Sequence, residues 1–317
     1  MKLITAVESY IVLRRSLGSV FAAESRILRS FGSSLGDIPL EGIDPQVCRK
    51  FCEGEGVPTR WWERKHYALR DFFAFLVARG QIMTAPELGC CPKFPRTFEA
   101  YIYSREELRK LLAAAASLQE GRWPKQGLTF RILLLTLYGA GLRPGEGLRL
   151  RCCDVDSGDL VLSIWHTKFF KSRLVPVGCD LARALLSYRK ERRQLPMPDG
   201  ERSALFPDPS GQPIRLAKLE SVFAKLRVRA GVGRPAGSRR QPRLHDLRHS
   251  FAVHRLLAWY REGADVQACL PLLSTYLGHV NISGTQSYLT MTPQLLAEAG
   301  KRFEHYASTN HENHNTP

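Results

Sequence analysis

The sequence predicts a mainly α-helical chain with one small β-sheet, organised as a helical N-terminal domain and a mixed α/β second domain. Residues 1–80 carry apolar side chains at helical spacing, which predicts a run of helices. Residues 81–103 have no sustained period and predict a linker, because they are interrupted by Pro86, Gly89, Pro92 and Pro95. Two short apolar runs further on, at 160–164 and 173–177, predict strands.

The charge of the chain favours a polyanionic partner. The 317 residues carry a formal net charge of +16, with a pI near 9.8, which suits nucleic acid or an anionic membrane surface. The longest apolar run, 132–142, is too short to span a bilayer, and Glu8 comes too early for a signal peptide. We therefore expect a soluble, cytoplasmic protein. The eight cysteines form no C-x-x-C pair and predict reduced, mostly buried thiols.

The N-terminal helices include one strongly basic segment. Asp44 before Pro45 predicts the start of a short helix, and an apolar stripe predicts a longer one over about 58–78. Its first half contains Arg60, Arg64, Lys65, His66 and Arg70. The lysine and the three arginines form either a solvent-exposed basic face or a surface that contacts DNA phosphates.

The second domain begins with a clear helix start. Ser104 and Glu107 form a capping box, and a helix over about 128–138 is apolar on nearly every side and therefore buried. Arg143 then precedes Pro144 at the start of another helix, where backbone N–H groups favour anions. Glu146, three residues on, is placed to orient the Arg143 guanidinium.

The two predicted strands flank a basic segment that contains Lys168 and Lys171. Without further context these lysines would be exposed charges at the tip of a hairpin. Helices are expected over 180–193 and 216–230, followed by an arginine-rich loop. We expect this loop to contact phosphates, through residues that include Arg239, Arg240 and Arg243.

The segment from Leu244 to Tyr288 contains the residues best suited to chemistry. His245 and Arg248 share a helix face at i and i+3, His279 follows in a Leu-Gly-His triplet, and Tyr288 comes nine residues later. A tyrosine beside histidines and an arginine can attack a phosphodiester. Taken alone, Tyr288 is an ordinary partly buried residue, and His245 with His249 at i+4 imitates a zinc-binding helix.

Together these motifs resemble the tyrosine recombinase/integrase family, with a phage integrase-like sequence and a Xer-like two-domain layout. The resemblance rests on Gly-Leu-Arg143-x-x-Glu146, His245-x-x-Arg248, Leu-Gly-His279 and Tyr288. It implies a core-binding DNA-binding domain over 1–80, a catalytic domain over 104–307 and a disordered tail over 308–317. The implied catalytic residues are Arg143, Lys168 (with Lys171 as runner-up), His245, Arg248, His279 and Tyr288.

The resemblance also implies a function: a site-specific recombinase that cleaves and rejoins DNA through a 3′-phosphotyrosyl intermediate. We expect a mobile-element integrase or transposase, double-stranded DNA as partner, and neither cofactor nor metal. We also expect a homotetramer on two DNA sites, joined by a C-terminal helix over 293–306, in the nucleoid of a bacterium. A type IB topoisomerase-like enzyme, a catalytically silent DNA-binding protein and a basic structural or membrane-surface protein are the alternatives. Arg248 and His279 are 31 residues apart, which suggests an insertion around 261–271.

Overall fold

The computed structural model describes residues 1–54, 59–91, 100–118, 123–156, 158, 160–165, 172–234, 241–279 and 281–313, with the backbone alone from 305 onward. The described residues up to Cys91 belong to one compact unit, and those from Ala100 onward to a second. Among the described residues, no helix combines the length and the apolar character needed to cross a lipid bilayer.

The first unit is helical in its described part, as the sequence predicts, apart from loops and one isolated β-bridge between Lys2 and Pro39. Its helices are α1 (Leu3–Ser16), α2 (Ala22–Leu35), α3 (Pro45–Glu53) and α4 (Arg60–Ala78). The predicted cap of α3 is confirmed, because the Asp44 side chain accepts a hydrogen bond from the backbone of Gln46. Aromatic side chains of three helices form the centre of the core, among them Tyr10, Phe31, Phe72 and Phe73.

The second unit opens with three helices: α5 (Arg105–Ala116), α6 (Gln126–Gly139) and α7 (Pro144–Arg149). The capping box of α5 is confirmed, with Ser104 and Glu107 exchanging hydrogen bonds. As predicted, α6 is buried on several sides. The assignment of Tyr103 to a linker is wrong, since this side chain is fully buried and its hydroxyl donates to the Arg243 carbonyl.

A three-stranded antiparallel sheet follows, in the order β1 (Val155–Asp156), β2 (Val161–Ile164) and β3 (Arg173–Pro176). The two predicted strands are confirmed and pair with Leu162 opposite Val175. The sequence does not reveal β1, because two residues are too few to show an alternating pattern. The segment between β2 and β3 that contains Lys168 and Lys171 lies outside the described residues.

The remaining helices are α8 (Cys179–Arg192), α9 (Leu216–Arg229), α10 (Asp246–Arg261), α11 (Val266–Leu277), α12 (Ser283–Gln286) and α13 (Pro293–Asn313). The stretch suspected of being an insertion contains the tight corner between α10 and α11. Gly263 adopts a positive φ of 74° there, Asp265 caps α11, and the helix then continues through Pro271. A separate core cluster joins α10, α11, α13 and the turn that contains Tyr288, and it includes Leu256, Leu273, Tyr288 and Leu295.

Two predictions need correction. α13 continues to Asn313, beyond the expected end at Tyr306 and into the segment expected to be disordered. The apolar stripe on which the prediction rests stops at Tyr306, whereas the polar residues after it continue the helix without such a stripe. The thiols are free, but of the eight only Cys48, Cys52 and Cys152 are buried.

Candidate active site

Three arginines from different elements surround one buried carboxylate. Arg143 is the N-cap of α7, and the carboxylate of Glu146 accepts from its Nη1 at 2.8 Å and its backbone N–H at 3.0 Å. Arg173, on β3, binds the same carboxylate with both terminal nitrogens, at 3.1 and 2.9 Å. Nη1 of Arg248, on α10, lies 3.9 Å away. The three guanidinium groups thus converge on Glu146, which hydrogen-bonds those of Arg143 and Arg173.

The arginines control the ionisation of Glu146, a residue that is 3% exposed. Burial opposes the charged form, but the hydrogen bonds and positive charges of Arg173 and Arg143 outweigh it and lower the pKa to about 2. The carboxylate is therefore ionised at neutral pH and accepts hydrogen bonds from its neighbours.

Arg248 is almost completely enclosed, at 1% exposure. It donates to the carbonyls of Gly141 at 2.9 Å and Leu277 at 2.5 Å. Burial and the nearby charge of Arg143 lower the pKa of its guanidinium to about 10, so it is a cation at neutral pH. Gly141 allows this approach, because its φ is +59° and an added Cβ would lie 2.5 Å from Phe251.

The end of α11 is held by these arginines. Arg143 donates to the Gly278 carbonyl at 3.1 Å, and Arg173 donates through Nε to the Tyr276 carbonyl at 2.9 Å. Arg248 holds the Leu277 carbonyl between them. The backbone directly before His279 is therefore fixed by the same side chains that bind Glu146.

His279 projects from this fixed backbone toward Tyr288. Its Nδ1 lies 2.7 Å from the Thr285 hydroxyl, and its ring stacks 6.1 Å from the Tyr288 ring. Burial and the charges of Arg248 and Arg143 lower its pKa to about 4. The ring is therefore neutral at neutral pH.

Tyr288 lies in a short 3₁₀ turn, Ser287–Thr290, and is 2% exposed. Burial raises the pKa of its phenol, while the charge of Arg248 and a hydrogen bond with it act in the opposite direction. The phenol oxygen lies 3.1 Å from Nδ1 of His249. The buried phenol is therefore protonated in the free protein and linked to α10.

His245 lies immediately before α10 and joins the same group. Its ring is 5.0 Å from that of His249. Burial and the charge of Arg248 lower its pKa. The structure thus brings together five of the six residues expected to be catalytic, namely Arg143, His245, Arg248, His279 and Tyr288. The sixth, Lys168, lies outside the described residues.

The sequence does not identify two members of this group. It predicts Arg173 only as part of a strand, because the pairing of Arg173 with Glu146 spans 27 positions and leaves no local signal. It offers His249 only as half of a zinc pair, whereas the structure places His249 against the Tyr288 hydroxyl. In the part of the chain that the structure describes, no three His, Cys, Asp or Glu side chains group as a metal site.

The residues expected to contact DNA have intramolecular partners. Arg64 pairs with Glu24 at 3.0 Å, and Arg70 pairs with Asp71 at 2.7 Å. Lys65 is held more firmly, since it donates to the Phe51 carbonyl at 2.7 Å and lies 4.8 Å from the Phe51 ring centroid. Arg60 is exposed at the start of α4.

In the second unit, Arg243 pairs with Asp246 at 2.8 Å and so supports the start of α10. Arg239 and Arg240 lie outside the described residues.

The amino-acid sequence matches known proteins over most of its length. The profile of the phage integrase family matches residues 103–294. The protein y4rB of Sinorhizobium fredii, named as an integrase/recombinase, is 35% identical over 303 residues, covering 94% of this chain and 96% of its own. The tyrosine recombinase XerC of Xanthomonas axonopodis pv. citri is 30% identical, covering 90% and 87%.

Solved structures share the fold at low identity. A fragment of the integrase of transposon Tn1549, residues 82–397 with one tyrosine-to-phenylalanine substitution, in complex with transposon right-end DNA, has a TM-score of 0.70 at 16% identity. The match covers 97% of this chain and 100% of that fragment. The recombinase XerH, bound to a palindromic difH substrate, has a TM-score of 0.64 at 20% identity, with coverages of 90% and 79%. At these identities the likeness establishes the fold alone, including the mainly helical two-part architecture.

Proposed function

The chain belongs to the phage integrase family of tyrosine recombinases, and we propose on that premise that Tyr288 is the nucleophile with which it cleaves and rejoins DNA. The family membership makes it a DNA strand transferase, a site-specific recombinase that acts on double-stranded DNA. One observation supports the assignment of the nucleophile: the buried side chain of Tyr288 lies beside His249 and His279 and close to the charges of Arg143 and Arg248.

The arginines supply the charge that the reaction requires. In our proposal the scissile phosphate binds to Arg143 and Arg248, whose planar guanidinium groups stabilise the negative charge of the pentacoordinate transition state. The carboxylate of Glu146 and the carbonyls before His279 keep both groups oriented before DNA arrives. A preorganised pair of cations takes the place that metal ions occupy in many phosphoryl-transfer enzymes, so no metal or other cofactor is needed.

The remaining side chains complete the transfer. Attack by the Tyr288 oxygen forms a 3′-phosphotyrosyl bond and releases a 5′ oxygen. Lys168 protonates that oxygen, as the family resemblance implies, with Lys171 as the substitute. His245 and His279 hydrogen-bond to the phosphate or assist proton transfer. Because the phosphotyrosyl bond retains the energy of the phosphodiester, the 5′-hydroxyl of another strand can attack it and rejoin the DNA.

Binding of the duplex involves both units in our proposal. The exposed ion pairs of Arg64 and Arg70 contribute little free energy in water and can be exchanged for phosphate contacts. Arg60 is on the same helix, α4. Lys65 is a weaker candidate than the sequence suggested, because its ammonium group already binds the Phe51 carbonyl. We propose Arg239, Arg240 and Arg243, which precede α10 in the sequence, as further phosphate contacts.

Assembly is proposed to involve α13. Leu296 and Phe303 are 54% and 72% exposed on this helix, while Leu295 is buried. Exposed apolar side chains on a terminal helix suit docking against a second copy of the chain. We propose that α13 joins protomers in a homotetramer on two DNA sites, as the family resemblance implies.

A role in a mobile element, as integrase or transposase, is favoured over chromosome-dimer resolution. The support is that y4rB, whose identity of 35% exceeds the 30% of XerC, is named as an integrase/recombinase, and that the Tn1549 integrase shares the fold. Such an enzyme acts where bacterial DNA lies, in the cytoplasm at the nucleoid.

The nucleophile is tested with nicked suicide duplexes selected from a randomised pool for binding to the protein. The wild-type protein should form a covalent adduct that survives denaturing electrophoresis, and Tyr288→Phe should bind the duplex but form none. Tyr276→Phe is the matched control, because its hydroxyl donates to the Pro176 carbonyl. An adduct with Tyr288→Phe would overturn the assignment, and no adduct with the wild type would favour a catalytically silent DNA-binding protein.

A further inference from the structure

The buried phenol of Tyr288 has a specific hydrogen-bond partner to which neither the family resemblance nor the proposed mechanism gives a role. Nδ1 of His249 lies 3.1 Å from the Tyr288 oxygen, and the two rings are 5.5 Å apart. We propose that His249 is a catalytic residue, the acceptor of the Tyr288 proton during DNA cleavage and its donor during rejoining. The inference rests on the proposed role of Tyr288 as nucleophile.

The other neighbours of the phenol are less suited to receive its proton. Arg248 is a guanidinium, which offers only donors. Nδ1 of His279 is engaged at 2.7 Å with Thr285, and its ring stacks beside the tyrosine ring. Within the described part of the chain, His249 is the histidine whose ring nitrogen is hydrogen-bonded to the nucleophile.

The protonation state of His249 suits a proton acceptor. Burial, followed by the charge of His245, lowers its pKa to about 4, so the imidazole is neutral at neutral pH. A neutral imidazole with a hydrogen on Nε2 presents a lone pair on Nδ1 to the phenol. The charged and titratable groups that face it in the described structure are Arg243, His245, Asp246, Arg248, His279 and Tyr288.

Binding of DNA makes the transfer more favourable. A phosphate placed between Arg143 and Arg248 brings negative charge close to His249 and offsets the cations that disfavour its protonation. The imidazole therefore becomes a stronger base when substrate is present.

The proton balance of the step is complete. As the Tyr288 oxygen forms its bond to phosphorus, its O–H bond breaks and the proton moves to Nδ1 of His249. The bond from phosphorus to the 5′ oxygen breaks, and that oxygen takes its proton from the general acid. On rejoining, the 5′-hydroxyl returns its proton to the conjugate base of the general acid as its oxygen bonds to phosphorus. The bond from phosphorus to the Tyr288 oxygen then breaks, and the imidazolium returns its proton to the departing phenolate.

The substitution His249→Asn separates this role from simple positioning. The asparagine oxygen takes the place of Nδ1 and accepts the same hydrogen bond, but it cannot hold a proton. With a suicide duplex at saturating protein, we expect adduct formation to slow by about 10²-fold or more, in the range typical of general acid–base catalysis. Duplex binding should not change.

The pH profile gives a second readout. Wild-type cleavage should be nearly independent of pH between about 6 and 8, above the pKa of His249. With His249→Asn the reacting species is the rare phenolate, so the rate should rise about tenfold per pH unit below the pKa of Tyr288. A rate that is unchanged and equally flat in the variant would overturn the proposal.

His254→Asn is the matched control. His254 lies on the same helix, and its Nδ1 is 2.8 Å from the Tyr138 hydroxyl, so the substitution alters an equivalent histidine–tyrosine pair. We expect the wild-type rate. Equal losses in both variants would mean that α10 had been disturbed and would overturn the specific role of His249.

Rescue by imidazole decides the case if His249→Asn binds DNA poorly. His249→Ala leaves room for a free base, so added imidazole should accelerate adduct formation in proportion to its unprotonated fraction. No acceleration would overturn the role of His249. Failure of the proposed nucleophile is distinguishable, because an adduct would then also form with Tyr288→Phe.

Discussion

At the scale of single residues, three guanidinium groups converge on the Glu146 carboxylate, with shortest N–O distances of 2.8 Å for Arg143, 2.9 Å for Arg173 and 3.9 Å for Arg248. The carboxylate offsets the mutual repulsion of these cations and accepts hydrogen bonds from Arg143 and Arg173. Without it, three close positive charges would remain, of which those of Arg173 and Arg248 are largely buried.

Glu146→Gln should therefore destabilise the protein in a pH-dependent way. The pKa of Glu146 falls from 4.5 to about 2 on folding, so its charge stabilises the folded state above pH 4.5 and loses that effect as the pH falls toward 2. The contribution at neutral pH is on the order of 3 kcal/mol. Urea titrations should show a lower unfolding midpoint for the variant at pH 7, and the difference should shrink between pH 4.5 and 3.

The matched control for this prediction is Glu106→Gln, which removes an exposed carboxylate paired with Lys110 on α5. It should leave the midpoint unchanged. If Glu146→Gln lowered the unfolding midpoint by the same amount across this pH range, lost packing rather than lost charge would be the cause of the destabilisation.

Lys168 is predicted to act on the leaving group alone. In a duplex whose 5′-bridging oxygen is replaced by sulfur, the leaving group departs without protonation. This substrate should largely restore cleavage to Lys168→Ala, which lacks a general acid worth about 10²–10⁴-fold, but not to Arg143→Ala. The rates are measured by adduct formation. Equal rescue of the two variants, or rescue confined to Lys171→Ala, would reject Lys168 as the general acid.

At the scale of elements, local signals predicted the starts of helices well. The caps of α3 and α5 involve partners two or three residues apart, so the sequence alone contains them. The hydrogen bonds of Arg173 and His249 that define the site link positions 27 and 39 residues apart and depend on the tertiary fold. A sequence motif locates Arg143 and Tyr288. No local motif marks Arg173, because its partner Glu146 is distant in the sequence.

α13 combines an anchored side with an exposed one. Leu295 is buried, and Arg302 donates to the Gly263 carbonyl at 2.7 Å, so the helix packs on its own unit. Leu296 and Phe303 remain exposed. Removing the whole helix would therefore also open the core beside Tyr288, and substitution of the exposed side chains is the cleaner test of assembly.

The double variant Leu296→Asp/Phe303→Asp should fold and bind a single DNA site, because both side chains face water in the free protein. It should fail to bring two sites together, since charged groups would replace the apolar contacts between protomers. Native gel shifts with one and two sites measure both properties. Val228→Asp is the control, as it alters an equally exposed apolar residue on α9. Normal pairing of two sites by the double variant would reject a role for α13 in assembly.

At the scale of the whole molecule, composition indicated a polyanionic partner and periodicity indicated the two-part helical fold. The net charge of +16 suits nucleic acid or an anionic membrane surface, and the family to which the chain belongs acts on DNA. The boundary between the parts was less predictable. Proline and glycine suggested a linker up to residue 103, but Tyr103 is buried in the second unit through contacts with residues about 140 positions away.

The central claim is that the side chains gathered around Glu146 drive Tyr288 to attack a phosphodiester. The most direct measurement is mass spectrometry of the trapped adduct, formed in excess chelator and digested with nuclease and trypsin. The peptide between Arg261 and Lys301 contains both Tyr276 and Tyr288, so fragmentation within it locates the attached nucleotide. We predict the nucleotide on Tyr288; its attachment to Tyr276 or to any other residue, or loss of the adduct in chelator, would contradict this account.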